Sequence, residues 1–181
     1  MKKRRKRKIT NTQISLAGEF AVLSQLALRG YDANMTLGNT KGVDILVSDP
    51  RTKKMYQLEV KTNVRNERKK LANSRVHGKY LSGWMMNKKQ WKEKSPSLYY
   101  CFTNIIRDRN YIKFYIVPSQ VVAKYIKKEH VYYLRYNRKR GRNVKDTDIC
   151  QFRIGLKSER YSKECPMPTA EQYENNWEFK N

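Results

Sequence analysis

Gly42-Val43-Asp44-Ile45-Leu46-Val47-Ser48, Asp49-Pro50-Arg51-Thr52 and, after Lys53, Lys54-Met55-Tyr56-Gln57-Leu58-Glu59-Val60-Lys61-Thr62 form the stretch on which the fold turns. Val43–Ser48 and Lys54–Thr62 are apolar, β-branched runs separated by turn-forming residues, which predicts two strands joined by a tight connection. A turn centred at Arg51 and Thr52 makes the pairing antiparallel and sets Asp44 roughly opposite Glu59. Glu59 and Lys61 are two apart and leave their strand on the same face. Carboxylates inside otherwise apolar strands are costly unless they are paired or hold a metal.

On the N-terminal side, Gln13–Arg29 reads as a helix, with Asn11 or Thr12 as cap and Gly30 as the stop. From Leu16 to Leu28 its only polar side chains are Glu19, Ser24 and Gln25, so it is expected to be buried around most of its circumference, against a sheet. Tyr31–Met35 reads as an edge strand and Leu37–Lys41 as a glycine-containing loop. Residues Asn63–Lys79 are basic and poorly periodic, which predicts loops. Leu98–Ile106 and Tyr111–Val117 form an aromatic, β-branched hairpin turning at Arg107–Asn110. Pro118 opens a helix over Ser119–Lys128. A further strand is expected at Ile149–Leu156 and a docked helix at Ala170–Phe179. This order predicts a mixed α/β or α+β fold around one sheet.

The chain has 181 residues, with 40 Lys and Arg against 16 acids. Taking the seven cations of Lys2–Lys8 out of a net charge of +24 leaves +17 on the rest, so the charge belongs to the folded body. Such a body repels itself, and the expected partner is a polyanion. A membrane surface fits less well, because the cations do not ride on one apolar-faced helix and no run is long enough to span. Residues 1–9 are expected to be a disordered basic arm, either solvating or DNA-contacting, with one domain over 10–181. Cys101, Cys150 and Cys165 are odd in number and far apart, which points to a reducing compartment, the cytoplasm. His77, expected to be exposed in a basic loop, and His130, near a helix end, are too isolated to supply a histidine-rich metal site.

Glu19, Asp44, Glu59 and Lys61 thus stand where apolar residues belong. Carboxylates converging with one lysine nearby favour a hard divalent cation, Mg²⁺ above all, with Mn²⁺ as a substitute. Asp44, Glu59 and the backbone carbonyl of Val60 would be its ligands, with Glu19 behind them or at a second metal. Lys61 would orient or deprotonate water and offset charge in the transition state. The bland alternatives are a solvent-facing Glu19, a surface ion pair of Asp44 with Lys41 or Lys61, and a solvated Glu59–Lys61 pair.

A helical Glu, an Asp on one strand and Glu-x-Lys on the next is an arrangement that resembles the PD-(D/E)XK nuclease superfamily. Gly18-Glu19-Phe20, Gly38-Asn39-Thr40-Lys41-Gly42-Val43-Asp44 and Glu59-Val60-Lys61-Thr62 are similar to its small restriction-like and archaeal-resolvase-like members. Phe114-Tyr115-Ile116-Val117-Pro118-Ser119 adds a weaker likeness. Val43 precedes the Asp where the pattern has Pro, and the match loosens beyond Asn63.

The resemblance implies a central mixed sheet flanked by helices and Mg²⁺-dependent hydrolysis of DNA. It also implies a homodimer for double-strand cutting and a prokaryotic, archaeal, phage or plasmid origin. The alternatives are a Holliday junction resolvase and a DNA-binding module that does not cleave. The expected phosphate rim is Lys41, Arg65, Arg68, Lys69, Lys70, Arg75 and Lys79, joined by Arg138, Lys139, Arg140 and Arg142. Tyr132, Tyr133 and Tyr136 either stack on bases or, as packing favours, line the core and rim.

Overall fold

The computed structural model describes residues 8–36, 42–65, 71–107, 110–157, 159 and 164–179. The basic arm up to Arg7 and Lys41, Arg68, Lys69 and Lys70 lie outside the described residues.

The predicted hairpin forms with the expected register. Strand β2 (Ile45–Asp49) pairs antiparallel with β3 (Lys54–Arg65), Ile45 facing Leu58. One step further puts Asp44 opposite Glu59. The turn is pinned by Asp49, whose carboxylate accepts the Arg51 N–H at 2.9 Å and the Thr52 hydroxyl at 3.0 Å. Strand β1 (Asp32–Met35) adds to the outer edge of β2.

On the other side, β3 pairs in parallel with β7 (Leu98–Ile106), and β7 pairs antiparallel with β8 (Tyr111–Pro118). The result is a mixed five-stranded sheet in the order β1-β2-β3-β7-β8. A parallel pair needs a crossover, usually helical. Here the crossover carries two short strands, β4 (Ala72–Ser74) and β5 (Gly78–Tyr80), then β6 (Ser82–Asn87) and a 3-10 turn, Lys88–Lys92. These elements correct the expectation of loops over Asn63–Lys79 and of no element over residues 80–92. β6 is completed only by pairing with β9 (Ile149–Ile154), far along the chain.

Helix α1 (Asn11–Ala27) is capped by Thr10 rather than by Asn11 or Thr12. Thr10 accepts the Gln13 N–H at 3.2 Å, and the Gln13 side chain accepts the Thr10 N–H at 2.9 Å. Only Gly18, Val22 and Leu26 are buried, while Leu16 and Phe20 are 42% and 57% exposed. A helix lying on one sheet face buries a single stripe, which corrects the expectation of burial around most of its circumference.

Gly18 makes the close approach possible. A Cβ there would stand 1.8 Å from Oγ1 of Thr62 and 2.8 Å from its Cβ. Gly18→Ala is expected to cost about 1–3 kcal/mol by overpacking, and Thr62→Gly in the same chain to recover part of it. Thermal melts of the three proteins check this; an unchanged single variant would mean that α1 rides higher on β3.

Alternation on β3 sends Leu58 and Val60 to the α1 side, where Val22, Leu26, Ile45, Tyr99 and Ile116 form one core. Glu59 and Lys61 go to the other face. There Tyr100, Phe102, Tyr115 and Val117 meet β6, β9 and helix α2 (Ser119–Arg138) in the second core. α2 runs ten residues beyond the expected Lys128, so Arg138 is helical. β9 stops at Ile154 rather than Leu156.

The C-terminal segment docks, but only Ala170–Tyr173 (α3) is helical. Tyr31 and Tyr99 hold it by donating to the carbonyls of Trp177 and Phe179 at 2.9 and 2.7 Å. All three cysteines are free and buried. Among the described residues no helix is long and apolar enough to cross a membrane.

Candidate active site

Asp44 sits where β2 leaves the ladder. Its N–H donates to the Leu58 carbonyl at 2.8 Å, and its own carbonyl accepts the Thr36 N–H at 2.9 Å, which fixes the backbone from both sides. Oδ2 then accepts the Val60 N–H at 2.6 Å, so the side chain takes over a ladder bond that β2 no longer makes. This strong bond and the nearby Lys61 charge favour the carboxylate. Burial outweighs them, and with the Glu59 charge added the Asp44 carboxyl is held above its ordinary range.

Glu59 is 7% exposed. Lys61 Nζ stands 2.5 Å from Oε1, the i, i+2 pair facing together as the strand period requires. Gln90 donates its Nε2 to both carboxylate oxygens, at 3.0 and 3.3 Å. The orientation of Gln90 is set locally, because its Oε1 accepts the Asn87 N–H at 2.9 Å and closes the capping box of the 3-10 turn. Gly42 lies over the carboxylate; a Cβ there would be 3.6 Å from Oε2. Tyr100, beside Glu59 in the β3–β7 register, has its hydroxyl pushed up by burial and then by the Glu59 charge. A hollow of about 300 Å³ opens here, lined by Gly42, Gln57, Glu59, Lys89, Gln90 and Tyr100.

Glu19 approaches from the half-buried flank of α1. Burial raises its carboxyl and the Asp44 charge adds to that, while Lys61 pulls it down. Glu19 therefore stands in the field of Asp44 and Lys61, and Asp44 in that of Lys61 and Glu59. Among the described residues no three His, Cys, Asp or Glu side chains form a group able to enclose a metal. The site offers two facing carboxylates and neighbouring backbone oxygen. Such a donor set fits a hard divalent cation that keeps several waters, as Mg²⁺ does, and not a zinc cage.

The described residues of the expected rim fall at the end of β3, in the β4–β5 hairpin and at the end of α2. Arg65 ends β3, four residues past Lys61. Arg75 and Arg140 meet through Tyr136, whose hydroxyl donates to the Arg75 carbonyl at 3.1 Å and whose ring lies 4.5 Å below the Arg140 guanidinium. Tyr136 thus packs between two basic clusters. Arg138, Lys139 and Arg142 are exposed at the same end of α2. Exposed Lys79 is 3.9 Å from Glu159.

His77 is not an exposed loop residue. It is 3% exposed, with Nε2 3.1 Å from Glu129. His130 is also buried, within α2, and bonds Asp146 at 2.7 Å.

Gln90 is the site residue that the sequence reading missed. Its one local signal is Asn87-Lys88-Lys89-Gln90, a capping-box pattern that marks a helical turn and not a carboxylate partner.

No family model and no curated protein matches the sequence. Among solved structures, a bacterial homing endonuclease, I-Ssp6803I, matches over 94% of this chain and 90% of its own. The identity is 9% and the TM-score 0.48, so nothing of that protein's activity carries over.

Proposed function

We propose that the chain is an Mg²⁺-dependent endonuclease that hydrolyses DNA phosphodiester bonds, restriction-like in its core. The observation that carries this is the facing pair Asp44 and Glu59, with Lys61 2.5 Å from Glu59, in a chain of net charge +24. Asp44, Glu59 and the Val60 carbonyl would hold the cation, which when bound lowers the pKa of water and neutralises phosphate charge. Gln90 keeps the Glu59 carboxylate fixed. Lys61, drawn from Glu59, offers its ammonium to the phosphate or to the attacking water. Glu19, in the field of Asp44 and Lys61, would stand behind these ligands or at a second cation. Supercoiled plasmid incubated with Mg²⁺ should be relaxed or linearised and with EDTA should stay intact. Tight DNA binding without any cutting would leave the reading of a non-cleaving DNA-binding module.

Double-strand cutting calls for two copies, and α1 supplies a face for a second copy of this chain. Residues 11–27 carry no Lys or Arg, and Leu16 and Phe20 stand exposed opposite the buried stripe. On so cationic a body this face, free of Lys and Arg, is where two copies approach at least electrostatic cost. Phe20→Glu is expected to shift sedimentation to monomer and turn double-strand breaks into nicks. An unchanged sedimentation profile removes α1 from the interface.

A further inference from the structure

We infer that the outer side of α2 and the 3-10 turn form a second DNA-backbone groove, which carries the strand onward from the candidate catalytic carboxylates. The inference rests on the nuclease reading for its placement, although its chemistry stands separately.

The groove encloses about 660 Å³. Lys124, Lys127, Lys128 and Arg135 recur at helical spacing on the side of α2 opposite Val122, Ile126 and Glu129, which are buried. From Lys124 to Arg135 the cations span about 16 Å at 1.5 Å per residue, the axial length of roughly five nucleotides of one strand. Lys94 and Trp91 form the facing wall, held to α2 by the bond from Gln120 Nε2 to the Lys94 carbonyl at 3.3 Å.

This wall joins the groove to the site. Gln90 of the 3-10 turn bonds Glu59, and the next residue, Trp91, lines the groove. Both Trp91 and Tyr132 already have aromatic or cationic neighbours on their rings. Phosphate contact by the lysines, rather than base stacking, is therefore the expected mode, and it reads backbone without sequence. Beyond Arg135 the track continues to Arg138 and the Tyr136–Arg140 pair. Among the described residues the one acid lining the groove, Glu164, is bonded to Arg135 and competes with phosphate for it.

The test measures binding of a labelled 20-base-pair duplex in EDTA across a range of salt. K124Q/K128Q is compared with K53Q/K54Q, which removes the same charge from the exposed β2–β3 turn. The groove pair should flatten the slope of log K against log salt by about 1.8, with a Kd several-fold higher than that of the turn pair. E164Q should move the other way, with tighter binding and a slope steeper by about 0.9 as Arg135 is freed. Misfolding cannot mimic that gain.

Equal slopes for the two lysine pairs would overturn the groove, as would an E164Q variant no tighter than wild type. Plasmid cleavage in Mg²⁺ is scored separately. Loss of the slope difference in a protein that cuts removes the groove alone. A slope difference in a protein that never cuts removes the nuclease reading alone.

Discussion

Asp44→Asn should abolish plasmid cleavage, by at least about a thousandfold, while the metal-free protein melts no lower than wild type. The asparagine Oδ1 can still accept the Val60 N–H that Oδ2 accepts at 2.6 Å, so the ladder contact survives. What disappears is a charge that burial and Glu59 both oppose. The gain in EDTA is expected to be up to about 1 kcal/mol. Mg²⁺ at a hundred times its Kd should stabilise wild type by about 2.7 kcal/mol and the variant far less, since only a form that holds the ion is stabilised. Lys61→Ala removes the ammonium from a nearly buried Glu59 and should lose both cleavage and about 1–2 kcal/mol, moderated because Lys61 is one-third exposed and Gln90 remains. Melting curves of the three proteins in EDTA and in Mg²⁺ decide. If Asp44→Asn cuts normally, or gains as much from Mg²⁺ as wild type does, the carboxylates are not the metal site.

The parts of this site that the sequence made legible are those governed by short-range rules. The register of β2 on β3 follows from turn position and the period of two, so Asp44 facing Glu59 and Glu59 beside Lys61 are readable from residues 43–62 alone. The same local chemistry gave α1, the β7–β8 hairpin and the start of α2.

Pairing between distant segments was hidden. β6, Ser82–Asn87, has no turn-linked neighbour and becomes a strand only against β9, sixty-odd residues later. Without β6 the 3-10 turn has no place, and Gln90 cannot be put beside Glu59. The outer face of α1 misled for a different reason. An apolar sequence predicts burial of the whole helix, but one sheet face covers only one stripe. His77 misled because a charged loop composition says nothing of a buried acid fifty residues on.

Glu129→Gln should give the largest stability loss, about 3–5 kcal/mol. Glu129, on α2, is 4% exposed, bonded to Arg153 of β9 and 3.1 Å from His77 in the β4–β5 turn. Burial alone would raise its carboxyl; the His77 contact and the Arg153 charge together outweigh burial and hold it below the usual range. A carboxyl so depressed contributes stability that is fully present above its unfolded value, about 4.5, and is lost as pH falls through the folded value. Denaturant melts should therefore show a wide gap between wild type and Glu129→Gln at neutral pH that narrows below pH 4.5.

The cost is that of an Arg153 guanidinium left buried without its counter-charge, so Glu129→Leu combined with Arg153→Met should recover most of it. A Glu129→Gln protein as stable as wild type, or a double variant no better than the single, would show that the cluster is not what ties α2 to β9. The functional consequence follows from position. The β4–β5 turn carries Arg75, which meets Arg140 through Tyr136 at the far end of α2. Loosening Glu129 frees that turn from the helix, so DNA affinity should fall with stability even though Asp44, Glu59 and Lys61 keep their contacts on the sheet.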